Sequence, residues 1–420
     1  YSGLPRSAME AAATVYAHAE RVIGIYGMGL TQHRTGVETV QLLVNLLLLR
    51  GNIGKPGAGI CPVRGHSNVQ GQRTVGITEK AKLAPLDRLR ELYGFEPPRE
   101  DGLCTVDACR GILDGTVQGF VSLGGNFLRA VPERDLMEAA WPNLKLSVQV
   151  ATKLNRSHIV PGTATYLLPC LGRIEIDEQA TGPQAVSMED STACIHGSRG
   201  RRPRISENAL SEPRIVAGLA KATLRPNPRV EWDSWVNDYA LVRDAIEATY
   251  PDQFKDFNRR LFQPGGFPRP LGVRERQWKT WNGKANFTVP QSLREDPPER
   301  GLDVYRLMTM RADGQFNTTI YNHTDRFRGI YDSRRVVMIN PLDMERLELA
   351  DGDTVTLATV ADDGVERRVG RLRVVAYDIP RGCLAAYYPE CNPLIPLWHY
   401  AKGSKVPAAK SVPVRIDRDG

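Results

Sequence analysis

No stretch of this sequence stays apolar for the roughly 20 residues that a membrane-spanning helix needs. Its greasiest region, Arg21 to Arg50, is interrupted by Gln, His, Arg and Glu, so no membrane span is expected. No C-x-x-C occurs among the seven cysteines, Cys61, Cys104, Cys109, Cys170, Cys194, Cys383 and Cys391. The closest pair, Cys104 and Cys109, has no second pair at zinc or iron–sulfur spacing, so the chain is assigned no metal ligand of its own. Such a dispersed, odd set reads as the reduced thiols of a cytoplasmic protein. The motif G-x-x-x-x-G-K-[ST] is absent, which excludes a P-loop. Aromatic residues make up only 7% and none interleaves with the one dense basic run, Arg199 to Arg204. A nucleic-acid partner is therefore not expected, despite a net charge of +7.

What is present is a chain of 420 residues, long enough for two or three domains. It is organised around Arg21 to Gly71. The apolar run Val22, Ile23, Ile25 and Tyr26, bounded by glycine, predicts a buried strand. A turn follows at Gly27-Met28-Gly29. Thr35 and Glu38 stand at capping-box spacing and predict a helix from about Thr35 to Leu49 or Arg50, leucine-rich nearly all round and therefore buried. A loop from Gly51 to about Gly76 carries Lys55, Arg64, His66, Asn68, Gln70 and Arg73. Strand, glycine turn and capped helix direct free backbone N–H groups and a positive dipole end to one point, which suits a phosphate. The NAD fingerprint fails here, because a G-x-G-x-x-G begun at Gly27 meets Gln32 in place of its third glycine.

Tyr1 opens a polar loop rather than a signal-like run, and a helix is expected over Arg6 to Ala19. Farther along, Glu79 to Leu92 and Thr105 to Leu113 read as helices, and a helix over Pro132 to Ala140 separates strands at Thr116 to Leu123 and Leu144 to Val150. A further strand follows at Thr165 to Leu168. This rhythm is that of a parallel sheet, whose ligands lie beyond the carboxyl ends of its strands. Gly29 to Gln32, Gly124 to Asn126 and Gln149 to Lys153 should then converge on one crevice. Ser211 to Leu224 and Trp232 to Arg260, with a break at Tyr250-Pro251, look helical, and Ala285 to Val289 looks like a strand. From Tyr305 onward, short alternating runs around the hairpin turn Asp362-Asp363-Gly364 suggest a small barrel.

The words Gly27-Met28-Gly29-Leu30-Thr31-Gln32-His33, Gly36-Val37-Glu38-Thr39, Gly51-Asn52-Ile53-Gly54-Lys55-Pro56-Gly57, Pro62-Val63-Arg64-Gly65 and Asn68-Val69-Gln70-Gly71 resemble, in that order, the molybdopterin-guanine-dinucleotide oxidoreductases of the DMSO reductase type. Within them the resemblance is greatest to formate dehydrogenase catalytic subunits. His66-Ser67-Asn68 stands where formate dehydrogenases have Gln-Asn-Asn, which points to a formate-dehydrogenase-like branch. The resemblance implies an α/β fold: a parallel dinucleotide-binding sheet with flanking helices in 1–225, a helical and irregular bridge in 226–300, and a C-terminal double-psi β-barrel in 301–420. It implies a molybdenum bis(molybdopterin guanine dinucleotide) cofactor and a small substrate, possibly formate. It also implies that this chain is about the second half of the protein, with a 4Fe–4S cluster and the metal's protein ligand on the other half.

The same resemblance carries site residues. Gly27, Gly29, Thr31, Gln32, His33, Lys55, Asn68 and Gln70 fall in its pterin words. Gly124, Gly125, Asn126, Gln149, Thr152 and Lys153 look like its guanosine and pyrophosphate contacts, and Thr309, Arg311, Gln315, Asn392 and Lys410 match its barrel words. The chemistry fits, since two anionic dinucleotides require cations, backbone donors and amides that both donate and accept. Arg64 is the implied arginine facing the metal, where a planar cation can hold a small anion, and His66 is a candidate proton relay. The competing readings are formate dehydrogenase proper and a non-catalytic nucleotide-binding or scaffold relative.

Overall fold

The computed structural model describes residues 4–291 and 303–418. The end of the bridging segment, 292–300, and the first two barrel positions lie outside them. The architecture is mixed α/β with a closed barrel of six strands.

The first helix, Arg6–His18, leads to the strand Ile23–Tyr26, which among the described residues pairs only with Gly59–Pro62, in parallel. A separate parallel sheet runs Gly119–Leu123, Leu146–Ala151, Ala164–Pro169. Its middle strand is buried from Ser147 onward, while the flanking helices Thr105–Leu113 and Arg134–Ala140 bring Val106, Cys109, Ile112 and Met137, and the 3-10 turn Trp141–Asn143 brings Trp141, into a core beneath it. The rings of Phe120, Phe127 and Trp141 meet there at 4.8–5.8 Å between centroids.

Several expectations require correction. The strand Ile23–Tyr26 is not part of the sheet that holds Gly119–Leu123. The predicted capping box does not form: Thr35 precedes the helix Gly36–Leu49 without a side-chain capping bond, and the Thr39 hydroxyl donates to its carbonyl instead. The glycine turn runs first into a single helical turn, Met28–Thr31, so the leucine helix does not aim its N-terminus at that turn. Nor is that helix buried, because the small sheet beneath it covers one face only; Gly36 and Leu47 alone are enclosed, while Leu42, Leu46 and Leu49 face outward. The stretch 232–260 is divided into four helices rather than two, with additional breaks at Asp238 and at Lys255-Asp256. Ala285 to Val289 forms no strand. The Thr288 backbone is satisfied by the Asn45 side-chain amide, which donates to its carbonyl (2.6 Å) and accepts from its N–H (3.1 Å).

The barrel closes in the order Tyr305–Met310, Cys383–Tyr387, Val336–Ile339, Arg368–Ala376, Thr354–Thr359, Val412–Arg418. Two neighbouring pairs are parallel and the others antiparallel. Leu307, Val337, Val355, Leu357, Leu372, Val374, Val412 and Val414 fill its interior, as alternation on short strands requires. Asn340 caps the helix Pro341–Arg346 by accepting from the Leu342 N–H (2.9 Å). Among the described residues no helix is long and apolar enough to cross a membrane.

Candidate functional site

The parallel sheet ends in Gly124 and Gly125, both left-handed (φ 73° and 86°). A Cβ at either would meet nothing within 4 Å, so backbone conformation alone calls for glycine here. The Gly124 N–H donates to Val150 O (2.7 Å), tying this turn to the neighbouring strand. Asn155 fastens it from below: its side chain donates to Gly125 O (2.7 Å) and accepts from the Ser157 N–H (3.0 Å), while the Ser157 hydroxyl donates to Asn126 Oδ1 (2.9 Å). The result is a cavity of about 410 Å³ beyond the strand ends, lined by Gly124, Gly125, Asn126, Thr152, Lys153 and Asn155 and, from other parts of the chain, by His66 and the barrel hairpin Phe316 to Thr319. Its lining is mostly polar, and the Lys153 ammonium sits 5.3 Å from the Tyr321 ring centroid.

A second cluster lies at the barrel's edge. The Gln32 carbonyl accepts from the Lys410 N–H (3.0 Å), bringing the pterin-like word of the first region to the last word of the barrel. Lys410 Nζ donates to the Thr309 carbonyl. Arg311 stacks on the Tyr388 ring at 4.0 Å, its Nη1 buried without a hydrogen-bond partner, and Gln32 Oε1 is likewise a buried orphan. Burial, and then the charge of Arg311, push the Lys410 ammonium down to about 8; burial lowers Arg311 also. Among the described residues no carboxylate acts on either cation. Two desolvated cations without a counter-ion are costly unless a ligand supplies negative charge. Asn317 connects the clusters, since it lines the cavity and its Oδ1 lies 3.5 Å from Arg311 Nη2.

The single crevice expected from the sequence is thus two adjoining places. Gly124 to Asn126 meet Thr152 and Lys153 in one, and Gln32 meets Lys410, Thr309 and Arg311 in the other; Gly27, Gly29, Thr31 and His33 lie on the turn that carries Gln32. Other residues expected at the site have side chains already engaged within the protein, and none of them lines the cavity. Buried Gln149 donates to Ser157 O (3.1 Å), and Gln315 bonds to Tyr388 O, the Ala312 N–H and Arg334. Asn392 donates to Val131 O and Arg129 O. Asn68 accepts from the Glu189 N–H (3.0 Å), Gln70 donates to the Glu189 carboxylate (2.8 Å), and Lys55 donates to Glu20 O. Arg64 and His66 stand exposed on the loop between Gly59–Pro62 and Val69–Thr74. Asn317 to Thr319 open a polar loop, 317–328, whose composition suits either a cofactor or solvent, while Asn155, Ser157, Phe316 and Tyr388 are not among the site residues expected from the sequence. Only Asn155 carries a signal there, a helix-capping residue shortly after a strand.

Residues 305–413 match the family model described as the molydopterin dinucleotide binding domain. The chain is similar to protein YdeP of Escherichia coli O6:H1, 45% identical over 418 residues that cover 99% of this chain and 55% of that one. It is also similar to the uncharacterized oxidoreductase Rv2900c of Mycobacterium tuberculosis, 44% identical over 422 residues, 99% of this chain and 54% of the other. Formate dehydrogenase H of Escherichia coli K12 is 48% identical over 156 residues, 35% of this chain and 22% of that enzyme. The chain spans about half the length of the curated relatives it matches. The barrel thus matches a molydopterin dinucleotide binding domain, and nearly all of the chain aligns with part of a protein named an oxidoreductase.

Proposed function

We propose that the protein is the dinucleotide-holding part of a molybdenum oxidoreductase similar to the formate dehydrogenases, acting on a small substrate in the cytoplasm. The observation that carries this reading is the pair of buried cations, Arg311 and Lys410, on which no carboxylate acts among the described residues; the backbone of Lys410 is tied to Gln32, whose Oε1 is a buried acceptor without a partner. An anionic dinucleotide that also offers hydrogen-bond donors satisfies both deficits. In this reading Arg311 and Lys410 neutralise phosphate, Gln32 and Thr309 meet the pterin side, and the Gly124-Gly125 turn with Thr152 and Lys153 holds the nucleotide end. The parallel pairs within the barrel support reading it as a double-psi barrel.

When bound, molybdenum bis(molybdopterin guanine dinucleotide) supplies a two-electron redox centre. Arg64, on its exposed loop, would hold the anionic substrate, and His66 at the cavity edge would relay its proton. Formate is the first substrate to try. A 4Fe–4S cluster and the metal's protein ligand belong, in this proposal, to the rest of the polypeptide.

Natively purified full-length protein should contain about two guanine nucleotides per molybdenum, together with iron, after acid release. Protein without molybdenum or pterin would remove the proposal. An Arg64→Lys variant with undiminished turnover would remove the anion-holding role alone.

A further inference from the structure

Outside the pterin region, the hairpin Val186–Glu189 and Cys194–Ser198 closes on three side chains of different ligand type. Cys194 and His196 are two apart on one strand and so share a face. Asp190 is folded back onto that face by the turn. Its Oδ1 is saturated, accepting from the Thr192 N–H (2.8 Å), the Thr192 hydroxyl (2.7 Å) and the Cys194 N–H (3.0 Å), which leaves Oδ2 to point at His196 Nε2 at 2.9 Å. The backbone completes the turn through Asp190 N–H to Cys194 O (2.9 Å), with Ala193 left-handed (φ 58°). One ligand atom from each of Asp190, Cys194 and His196 lies within 4.8 Å of the other two. Side chains 30% and 35% exposed at His196 and Asp190 leave the group open to solvent on one side.

We propose that Asp190, Cys194 and His196 form a zinc site with three protein ligands and a fourth, water-filled position. Carboxylate, thiolate and imidazole form a ligand set that zinc accepts, at about 2.0–2.3 Å from each atom, and three ligands with one open position are the pattern of an accessible rather than a closed site. The carboxylate is oriented in advance, as ligands with outer hydrogen bonds are, because its second oxygen is fixed by the turn. On binding, the Cys194 thiol gives its proton to solvent and surrenders its present bond to Gly265 O (3.2 Å), and the ion takes the place of the Asp190–His196 hydrogen bond, the neutral ring then carrying its proton on Nδ1. The site is independent of the dinucleotide reading. It has a structural consequence there, however, because Glu189, next to Asp190, holds both Asn68 and Gln70, so a filled zinc site would stiffen the loop that carries Arg64 and His66.

The test uses full-length holoprotein titrated with cobalt(II) chloride as a spectroscopic stand-in, then with zinc. One cobalt per chain is expected, giving a thiolate-to-metal charge-transfer band that zinc abolishes; affinity should fall at least tenfold in both Cys194→Ser and His196→Ala. A second readout needs no variant. Zinc should slow alkylation of Cys194 in the native protein at least tenfold, followed by mass of the peptide that contains it. No cobalt band in the native protein, a band unweakened in either variant, or unchanged alkylation of Cys194 would overturn the proposal.

Discussion

The Glu133 carboxylate and the Arg367 guanidinium, 234 residues apart, form a buried ion pair (Nε to Oε2 3.0 Å) that fastens the sheet region to the barrel. Both side chains are almost fully enclosed, 6% and 3% exposed. Glu133 also accepts from the Leu397 N–H, and Arg367 binds Asp363, which takes a further bond from the Trp398 indole. The guanidinium is raised: burial opposes its charge, but the bonds to Asp363 and Glu133 outweigh it. Arg367→Met leaves a buried carboxylate without its cation and should cost about 3–5 kcal/mol. Glu133→Gln should cost less, because Asp363 still neutralises the arginine. Urea midpoints of the two variants would show that order.

Lys410 ties the stability of the ligand-free chain to pH. Its folded value, about 8, lies below the ordinary 10.5 of a lysine, so between these values the unfolded chain binds more protons. Ligand-free protein should therefore gain stability as the pH rises from about 8 to 10.5, whereas below 8 the penalty of the buried charge is fully present. Bound dinucleotide raises the lysine and should flatten this rise. Lys410→Met should remove it altogether and weaken dinucleotide retention by about 1.5–3 kcal/mol, the worth of a hydrogen bond to a charged group. Melting temperature against pH, with and without ligand, reads both effects.

At Gly125 a methyl group would have room but the wrong backbone. Gly125→Ala should cost about 1–2 kcal/mol through the left-handed conformation alone, measured by chemical unfolding. The same strain would shift the turn at the cavity floor, so guanine nucleotide content should fall with stability.

Asn155→Ala removes both the bond to Gly125 O and the helix cap on the Ser157 N–H, and should cost about 1 kcal/mol. Faster amide exchange confined to residues 124–126 and 156–159 would distinguish this local loosening from global unfolding.

The elements with a strong periodic pattern were legible in the sequence. The helix Thr105–Leu113 lies where helical spacing places it, and the short alternating runs from Tyr305 onward close into a barrel. What pattern cannot encode is partnership. The run Val22 to Tyr26 has the composition of a central strand, yet its hydrogen bonds go to Gly59–Pro62, a choice made by tertiary contacts. Thr35 and Glu38 have capping-box spacing, but Thr35 enters the helix at φ −95° and ψ 13°, away from the extended geometry that such a cap requires. The site was legible as words and not as a shape. Gln315, Asn392, Arg311 and Lys410 match the same family's barrel words and Gln149 its sheet contacts, yet folding engages the three amides within the protein and leaves the two cations with no carboxylate among the described residues.

The outward leucines of the helix Gly36–Leu49 are joined in facing solvent by Ile23 and Ile25 of the small sheet and by Val121, Leu123 and Tyr166 of the larger one. Exposed large apolar side chains in this number make a chain adhesive in water. Preparations of these 420 residues by themselves will be governed by colloidal behaviour before conformational stability is tested. On heating, light scattering should rise ahead of any change in tryptophan fluorescence, and a mild detergent should postpone the first without moving the second.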